Sequence, residues 1–140
     1  MWIFYAFLSA LFAALVAIFA KLGLKELDTT LATTIRAIVM VFLLISVSLA
    51  LGKFDGFHFS SLAGREWLLI ILAGIAGALS WLFYFFALKH GLASGVVAID
   101  RLSIVFVVIL AALFLGESFG LKVALGAVLM AGGAVLISLR

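Results

Sequence analysis

Long apolar segments, each about 20 residues in length, alternate with short polar connections along the chain. An α-helix of about 20 apolar residues crosses the roughly 30 Å hydrocarbon core of a bilayer, whereas strands of a membrane barrel are shorter and alternate apolar with polar positions. The pattern therefore predicts five transmembrane helices and no sheet. Their expected ranges are 2–20, 30–51, 67–88, 94–115 and 121–139.

Composition strengthens the membrane assignment. Of 140 residues, 69% are hydrophobic and 11% are charged, whereas soluble domains have roughly 45–50% apolar and about 25% charged residues. The chain has no cysteine, which excludes disulfides and thiolate metal sites, and its net charge of +3 is too small and scattered to predict a nucleic-acid partner. The first segment lacks a positively charged start and is longer than a signal-peptide core, so we expect it to span the membrane. We predict an all-α integral membrane protein with a single domain over residues 1–140.

Polar residues mark several predicted helix ends. Asp28 or Thr29 is expected to cap the second helix and Ser94 the fourth, because short polar side chains accept hydrogen bonds from the first N–H groups. Glu117 precedes the fifth helix, whose positive N-terminus favours an acid, and is expected to cap it. The longest connection, 52–66, mixes phenylalanines with polar residues and is predicted to lie along the membrane interface.

The distribution of lysines and arginines bears on orientation. An odd number of helices places Met1 on one face of the membrane, side A, and Arg140 on the other, side B. The connections and the C-terminus carry three basic residues on side A and four on side B. Counting Arg36 and Arg101, which lie nearer side B, favours side B as cytoplasmic by the positive-inside rule. The loop charges alone are nearly balanced, as expected for a chain that inserts in both orientations.

Three charged residues lie well inside predicted helices: Arg36, Asp100 and Arg101. A charge at a helix centre costs about 2.5–3.5 kcal/mol on insertion scales, so such a residue usually has a function. Arg36 follows Asp28 by eight residues, which places it about 12 Å below side B. Asp100 follows Ser94 by six residues, or about 9 Å from the same side. The opposite charges are therefore expected at similar depth.

Aromatic and hydroxyl side chains are predicted at the same level. Trp81 and Tyr84 precede the end of helix three by about 12 and 7.5 Å, and Ser103 adds a hydroxyl on helix four. Together these residues predict a polar pocket reachable from side B. Simpler interpretations stay open: a structural Arg36–Asp100 pair holding helices two and four together, arginines that extend to the interface, and aromatic residues of the interfacial belt or the core.

Motifs of common catalytic sites are absent from the sequence, which has no HExxH, no P-loop and no nucleophile elbow. His58 and His90 both occupy polar connections, where we expect them to be solvated rather than to bind metal. We therefore predict that the protein is not an enzyme and needs no cofactor or metal.

Several stretches resemble the EamA-type domain of the drug/metabolite transporter superfamily: ALFAALVAIFAKLGL, TTIRAIVMVFLL, GALSWLFYFFALKHGLASGVVAIDRLS and LFLGESFGLKVALGAVLMAGGAVLI. They cover most of the chain in the family's order. The resemblance implies a secondary transporter or exporter of small solutes in a bacterial or archaeal cytoplasmic membrane. Most members join two such units in inverted orientation, so a single unit implies a dimer with one copy inverted and a midplane site between the halves.

Individual positions can be compared with the family pattern. Arg36 matches the family's recurrent arginine of helix two, and Glu117 matches its "GE" ending of helix four. Small multidrug-resistance relatives use a glutamate in helix one for proton and cation exchange, but helix one here has no acid. Cationic drug efflux by that mechanism is therefore not expected. Many relatives have proline where this chain has Ala98. Because proline is the usual cause of a helix kink, a kink is not expected at this position.

We therefore predict a transporter of a small solute that works by alternating access as an antiparallel homodimer. The expected substrate-binding residues are Arg36, Trp81, Tyr84, Asp100, Arg101 and Ser103. Two arginines against one carboxylate favour an anionic or zwitterionic solute. Two alternatives remain: a subunit of a lipid-linked sugar flippase, and a non-transporting partner in a membrane assembly.

Overall fold

The computed structural model of the protein describes residues 1–56, 63–118 and 120–139; His58, Arg140 and the middle of connection 52–66 lie outside these ranges. The described part is helical without strands, and five of its segments are long and apolar enough to span a membrane, which confirms the predicted spans. The helices are α1 (Trp2–Gly23), α2 (Thr29–Ala50), α3 (Gly64–His90), α4 (Ala93–Asp100), α5 (Ser103–Leu110) and α6 (Leu121–Ser138), and the fourth span consists of α4, α5 and the π-helical turn Ala111–Leu115.

Side-chain caps fix where α2 and α3 begin. Asp28 is the N-cap residue of α2, and its carboxylate accepts a hydrogen bond from the N–H of Leu31 at 3.0 Å, as predicted. α3 begins at Gly64, three residues before the predicted start, because the carboxylate of Glu66 accepts a hydrogen bond from the N–H of Ala63 at 3.1 Å. Both bonds satisfy donors that the first turn of a helix otherwise leaves without a partner.

The fourth span is interrupted near its middle. α4 ends at Asp100 and α5 begins at Ser103. Between them, the N–H groups of Leu102 and Ile104 donate to carbonyls three residues earlier, at 2.9 and 3.2 Å. Bonds of this type wind the backbone into a tighter 3₁₀ turn. The span was predicted correctly, but the uniform helix predicted within it is wrong.

The expected cap of the fourth span is also wrong. The N-cap residue of α4 is Leu92, which has no side-chain hydrogen bond to the helix. Ser94 therefore lies inside the first turn rather than before it.

Glu117 does not cap the last helix. Gly116 ends the fourth span with φ +67°, in the left-handed region that glycine adopts without strain. The N–H of Glu117 then donates to the carbonyl of Ala111 at 3.3 Å, as in a C-terminal helix cap. Gly120 is the N-cap residue of α6. Glu117 thus belongs to the end of the fourth span, because its backbone closes that end.

One compact unit is formed by Met1–Leu22 together with Ala87–Arg140. Within it, α4 and α5 pack against α6. A Cβ added to Gly95 would lie 3.8 Å from the Cα of Ser138, so α4 and α6 approach closely at this glycine. Small residues allow such close approach between membrane helices.

Lys21 joins two helix ends inside this unit. Its Nζ donates hydrogen bonds to the carbonyl of Leu88 and to the carbonyl of Gly91, the latter at 2.8 Å. These carbonyls lie at the end of α3, where the helix dipole favours a cation. The ammonium group therefore fixes the C-terminus of α1 to the C-terminus of α3.

The second compact unit, Gly23–Phe86, contains α2 and most of α3. Thr29 and Phe85 are buried, with 2% and 3% of their surface exposed. Most large apolar side chains on both helices are exposed. This is the pattern expected of helices whose solvent is lipid, because lipid tails are as apolar as the side chains themselves.

Candidate functional site

A polar stripe runs along α2. Thr29, Thr33 and Arg36 are spaced by four and three residues, so they share one face of the helix. The hydroxyl of Thr33 donates to the carbonyl of Thr29 at 2.8 Å and is thereby satisfied within the helix. Arg36, by contrast, directs its charged group toward α3.

The guanidinium of Arg36 stacks on Trp81. Its Cζ atom lies 3.5 Å from the centroid of the Trp81 ring. At this separation the planar group lies against the ring face, because an N–H pointing at the ring would hold Cζ farther away. The same atom is 5.7 Å from the centroid of Phe85, within the roughly 6 Å range of cation–π attraction. Two residues predicted at one depth are thus in direct contact.

Three rings of α3 form a cluster beneath this cation. Trp81 meets Tyr84 edge to face at 5.4 Å between centroids, and it meets Phe85 in the same way at 6.0 Å. Tyr84 and Phe85 are 6.3 Å apart. Such pairs contribute about 0.5–1.5 kcal/mol beyond burial, so they hold the Trp81 ring in place. Phe85 was not predicted, although its four-residue spacing from Trp81 is the signal that places both on one helix face.

The Arg36 guanidinium packs against α3 well before the end of that helix. Trp81 lies nine residues before the end of α3 at His90, which corresponds to about 13.5 Å along the helix. The guanidinium stacks at the level of this ring. Arg36 is therefore packed against α3, and its depth in the membrane stays a prediction.

The charge of Arg36 is only partly compensated within its own unit. Among described residues 23–56 and 63–86, the two aromatic rings are its contacts, and none accepts a hydrogen bond or forms an ion pair with its guanidinium. A cation–π contact contributes about 0.5–1 kcal/mol at exposed sites and about 2 kcal/mol or more when desolvated, against about 2.5–3.5 kcal/mol for an intramembrane charge. A guanidinium also has five N–H donors. Within the described residues of this unit, no acceptor therefore occupies the edge of the guanidinium.

Asp100, Arg101 and Ser103 cluster at the interruption of the fourth span. Asp100 is the last residue of α4, Arg101 caps that helix, and Ser103 opens α5. All three are exposed. They belong to one unit and the Arg36–Trp81–Tyr84 group belongs to the other, so a single pocket formed by all six residues stays a prediction, as does the Arg36–Asp100 pair.

Two of the cavities formed by described residues lie in the first unit. One of about 350 Å³ lies beside α4 and α6, with Gly91, Gly95, Ile99 and Ser138 in its wall. The Ser138 hydroxyl donates to its own helix, at the carbonyl of Val135. The other, of about 180 Å³, lies between α5 and α6 and is lined by Val, Ile and Ala side chains. Neither includes any of the six predicted residues.

Comparison with known proteins identifies the family. A sequence profile described as the EamA-like transporter family matches residues 1–139. The chain belongs to this family. It is also 44% identical over 137 residues, or 98% of this chain and 96% of the relative, to a Sinorhizobium protein described as an "Uncharacterized transporter in cobO 3'region". No solved structure matches the chain significantly.

This EamA-like protein is a multi-pass membrane transporter of all-helical fold. Members of the family are generally not enzymes, and their substrates are small molecules. The description of that Sinorhizobium relative names no substrate.

Proposed function

We propose that two copies of this chain, inserted in opposite orientations, transport a small solute across the cytoplasmic membrane by alternating access. The observation that supports this function is the Arg36 guanidinium, stacked 3.5 Å from the Trp81 ring at a depth of about 12 Å in a spanning helix. A cation held at that depth against a rigid aromatic ring is suited to bind a solute reversibly.

The solute is held by two groups of residues. Arg36, Trp81 and Tyr84 contribute a cation and rings from α2 and α3. Asp100, Arg101 and Ser103 contribute charge and a hydroxyl from the interrupted fourth span. Transporters built from inverted repeats bind substrate near the midplane, typically at discontinuous helices. The 3₁₀ turn at Leu102 provides such a discontinuity in this chain.

The inverted copy supplies the second half of the transporter. Five spans place the termini on opposite faces, and three against four basic residues give the insertion machinery little preference. Both orientations are then made from one sequence. Rocking of the two subunits against each other around the shared site alternates its access.

Counterflow in liposomes containing only this purified chain tests the proposal. Labelled carboxylates, amino acids, sugars and amines are offered in parallel, with protein-free liposomes as the control. At least one class should exchange across the membrane. Exchange that requires a second, different chain would contradict the homodimer, and its absence for every class would contradict unaided transport.

A further inference from the structure

We infer that Arg36 binds the carboxylate of an organic-anion solute through the edge of its guanidinium, and that Trp81 is the positioning residue that holds this edge in place. The inference rests on the proposed transport function and names the substrate class of the same site. It differs from the sequence-based expectation, in which Trp81 itself is a substrate-binding residue.

The stacked arrangement determines how a ligand approaches. With Cζ 3.5 Å from the Trp81 centroid, one face of the guanidinium is covered by the ring. Its N–H groups all lie in the plane of the group and point outward from its edge. A carboxylate in that plane accepts two parallel hydrogen bonds, which is the strongest and most directional pairing available to arginine.

Charge selects the class of ligand. Within described residues 23–56 and 63–86, no carboxylate forms an ion pair with Arg36, so this half of the proposed site carries one positive charge without a paired acid. A monoanionic carboxylate neutralises it, whereas an amine adds a second like charge in a low-dielectric region. A phosphate dianion leaves one negative charge without a partner. The carboxylate is therefore the best match.

Trp81 holds the Arg36 guanidinium in one orientation. The arginine side chain has many rotamers, and part of this conformational freedom is lost whenever its guanidinium is fixed for binding. Here the ring has already fixed the guanidinium, and Tyr84 and Phe85 both pack edge to face against that ring, at 5.4 and 6.0 Å between centroids. Binding to a preorganised group costs less conformational entropy.

The direct test measures ligand-dependent thermal stability of the detergent-solubilised protein. The probes are acetate, lactate, benzoate and succinate, compared with acetamide, benzamide and ethylammonium as neutral or cationic analogues. Wild type and Arg65→Lys, an exposed arginine in the first turn of α3, should be stabilised by carboxylates only. Arg36→Lys keeps the charge but loses the two parallel N–H donors of the guanidinium, so the affinity of this variant for carboxylates should fall about tenfold. Arg36→Gln should show no carboxylate response.

The role of Trp81 is tested separately. Trp81→Phe keeps a ring under the cation, and its carboxylate affinity should stay within about threefold of wild type. Trp81→Leu should lose most of the preference for carboxylate over the matching amide. The melting temperature without ligand measures any purely structural effect of these variants. Equal carboxylate preference in the Leu and Phe variants would overturn the positioning role.

The outcomes separate this inference from the proposed function. If carboxylates bind in an Arg36-dependent way but no solute shows counterflow, the inference about Arg36 is supported and the proposed transport function is contradicted. Counterflow of amines or neutral solutes that is unchanged in Arg36→Lys and Arg36→Gln leaves transport and overturns the inference. Failure of every carboxylate to stabilise the wild type overturns it as well.

Discussion

The Cζ atom of Arg36 in α2 lies 3.5 Å from the centroid of the Trp81 ring in α3. The contact brings an intramembrane charge onto an aromatic support about 13.5 Å from the end of α3. It also covers one face of the cation, and within described residues 23–56 and 63–86 no group accepts a hydrogen bond from the edge of its guanidinium. The proposed solute site depends on this pair.

The stacked pair should be measurable as an energetic coupling. In a double-mutant cycle, Arg36→Gln and Trp81→Leu should couple by about 1–2 kcal/mol, because the cation–π contact exists only when both residues are present. Unfolding in mixed detergent gives the free energies. Trp67→Leu is the matched control, since it lies 14 residues before Trp81, or about 21 Å along α3. Equal coupling to both tryptophans would argue against the contact.

Replacing Asp100 with Asn should impair transport without unfolding the protein. The side chain is exposed at the interruption of the fourth span, so the fold does not require its charge. We expect initial counterflow rates to fall about tenfold, the effect of losing one interaction with a charged group. Asp55→Asn, in the connection after α2, controls for loss of an acid. Unchanged transport would remove Asp100 from the site.

Several of these features follow from the sequence, and others do not. The five spans are predictable because the membrane requires about 20 apolar residues per helix. The Asp28 cap follows from local hydrogen bonding, and the similar depth of Arg36 and Trp81 follows from counting along the helices. The contact between these two side chains was not predicted and is known from the structure. The interruption at Leu102 is different, because the residues around it include no proline or glycine and the backbone bonds alone reveal it.

The wrongly predicted caps have a related cause. Ser94 and Glu117 have suitable side chains, but the backbone at Leu92 and Gly116 already fixes the ends of the fourth span. Whether Arg36 approaches Asp100 depends on tertiary packing between helices. Equal depth is necessary for that contact, but it does not establish which faces meet.

Lys21 should contribute strongly to stability. Lys21→Met removes both hydrogen bonds from the ammonium group to the carbonyls of Leu88 and Gly91. Hydrogen bonds to charged groups contribute about 1.5–3 kcal/mol each, so Lys21→Met should lower the free energy of unfolding. The control is Lys25→Met at a neighbouring exposed lysine, which should change the free energy of unfolding by less than about 0.5 kcal/mol. Hydrogen exchange should also accelerate around residues 88–91. Similar effects of both replacements would contradict the role assigned to Lys21.

Gly91 should not tolerate alanine. A Cβ at this position would lie 2.8 Å from Cγ2 of Val96 and 3.2 Å from the carbonyl oxygen of Ala87. Because valine is stiff at χ1 and the carbonyl is backbone, relief requires the turn to shift, at a cost of about 1–3 kcal/mol. Unfolding experiments should show this loss, and Gly91→Ala with Val96→Ala should recover part of it.

A glycine in open surroundings provides the comparison for Gly91. No atom lies within 4 Å of a Cβ added to Gly126 in α6, so Gly126→Ala should be neutral or stabilising by up to about 1 kcal/mol. Equal destabilisation by Gly91→Ala and Gly126→Ala would show that crowding is not the cause.

Orientation in the membrane tests the central claim that one chain forms both halves of the transporter. Because the sequence has no cysteine, Asp55→Cys and Glu26→Cys give single thiols in connections on opposite sides of the membrane. Intact cells are treated with a membrane-impermeant thiol reagent, and lysed cells give the total. The account predicts that each variant is labelled from outside in about half of its molecules. Full labelling of one variant and none of the other would establish a single orientation and contradict the antiparallel homodimer.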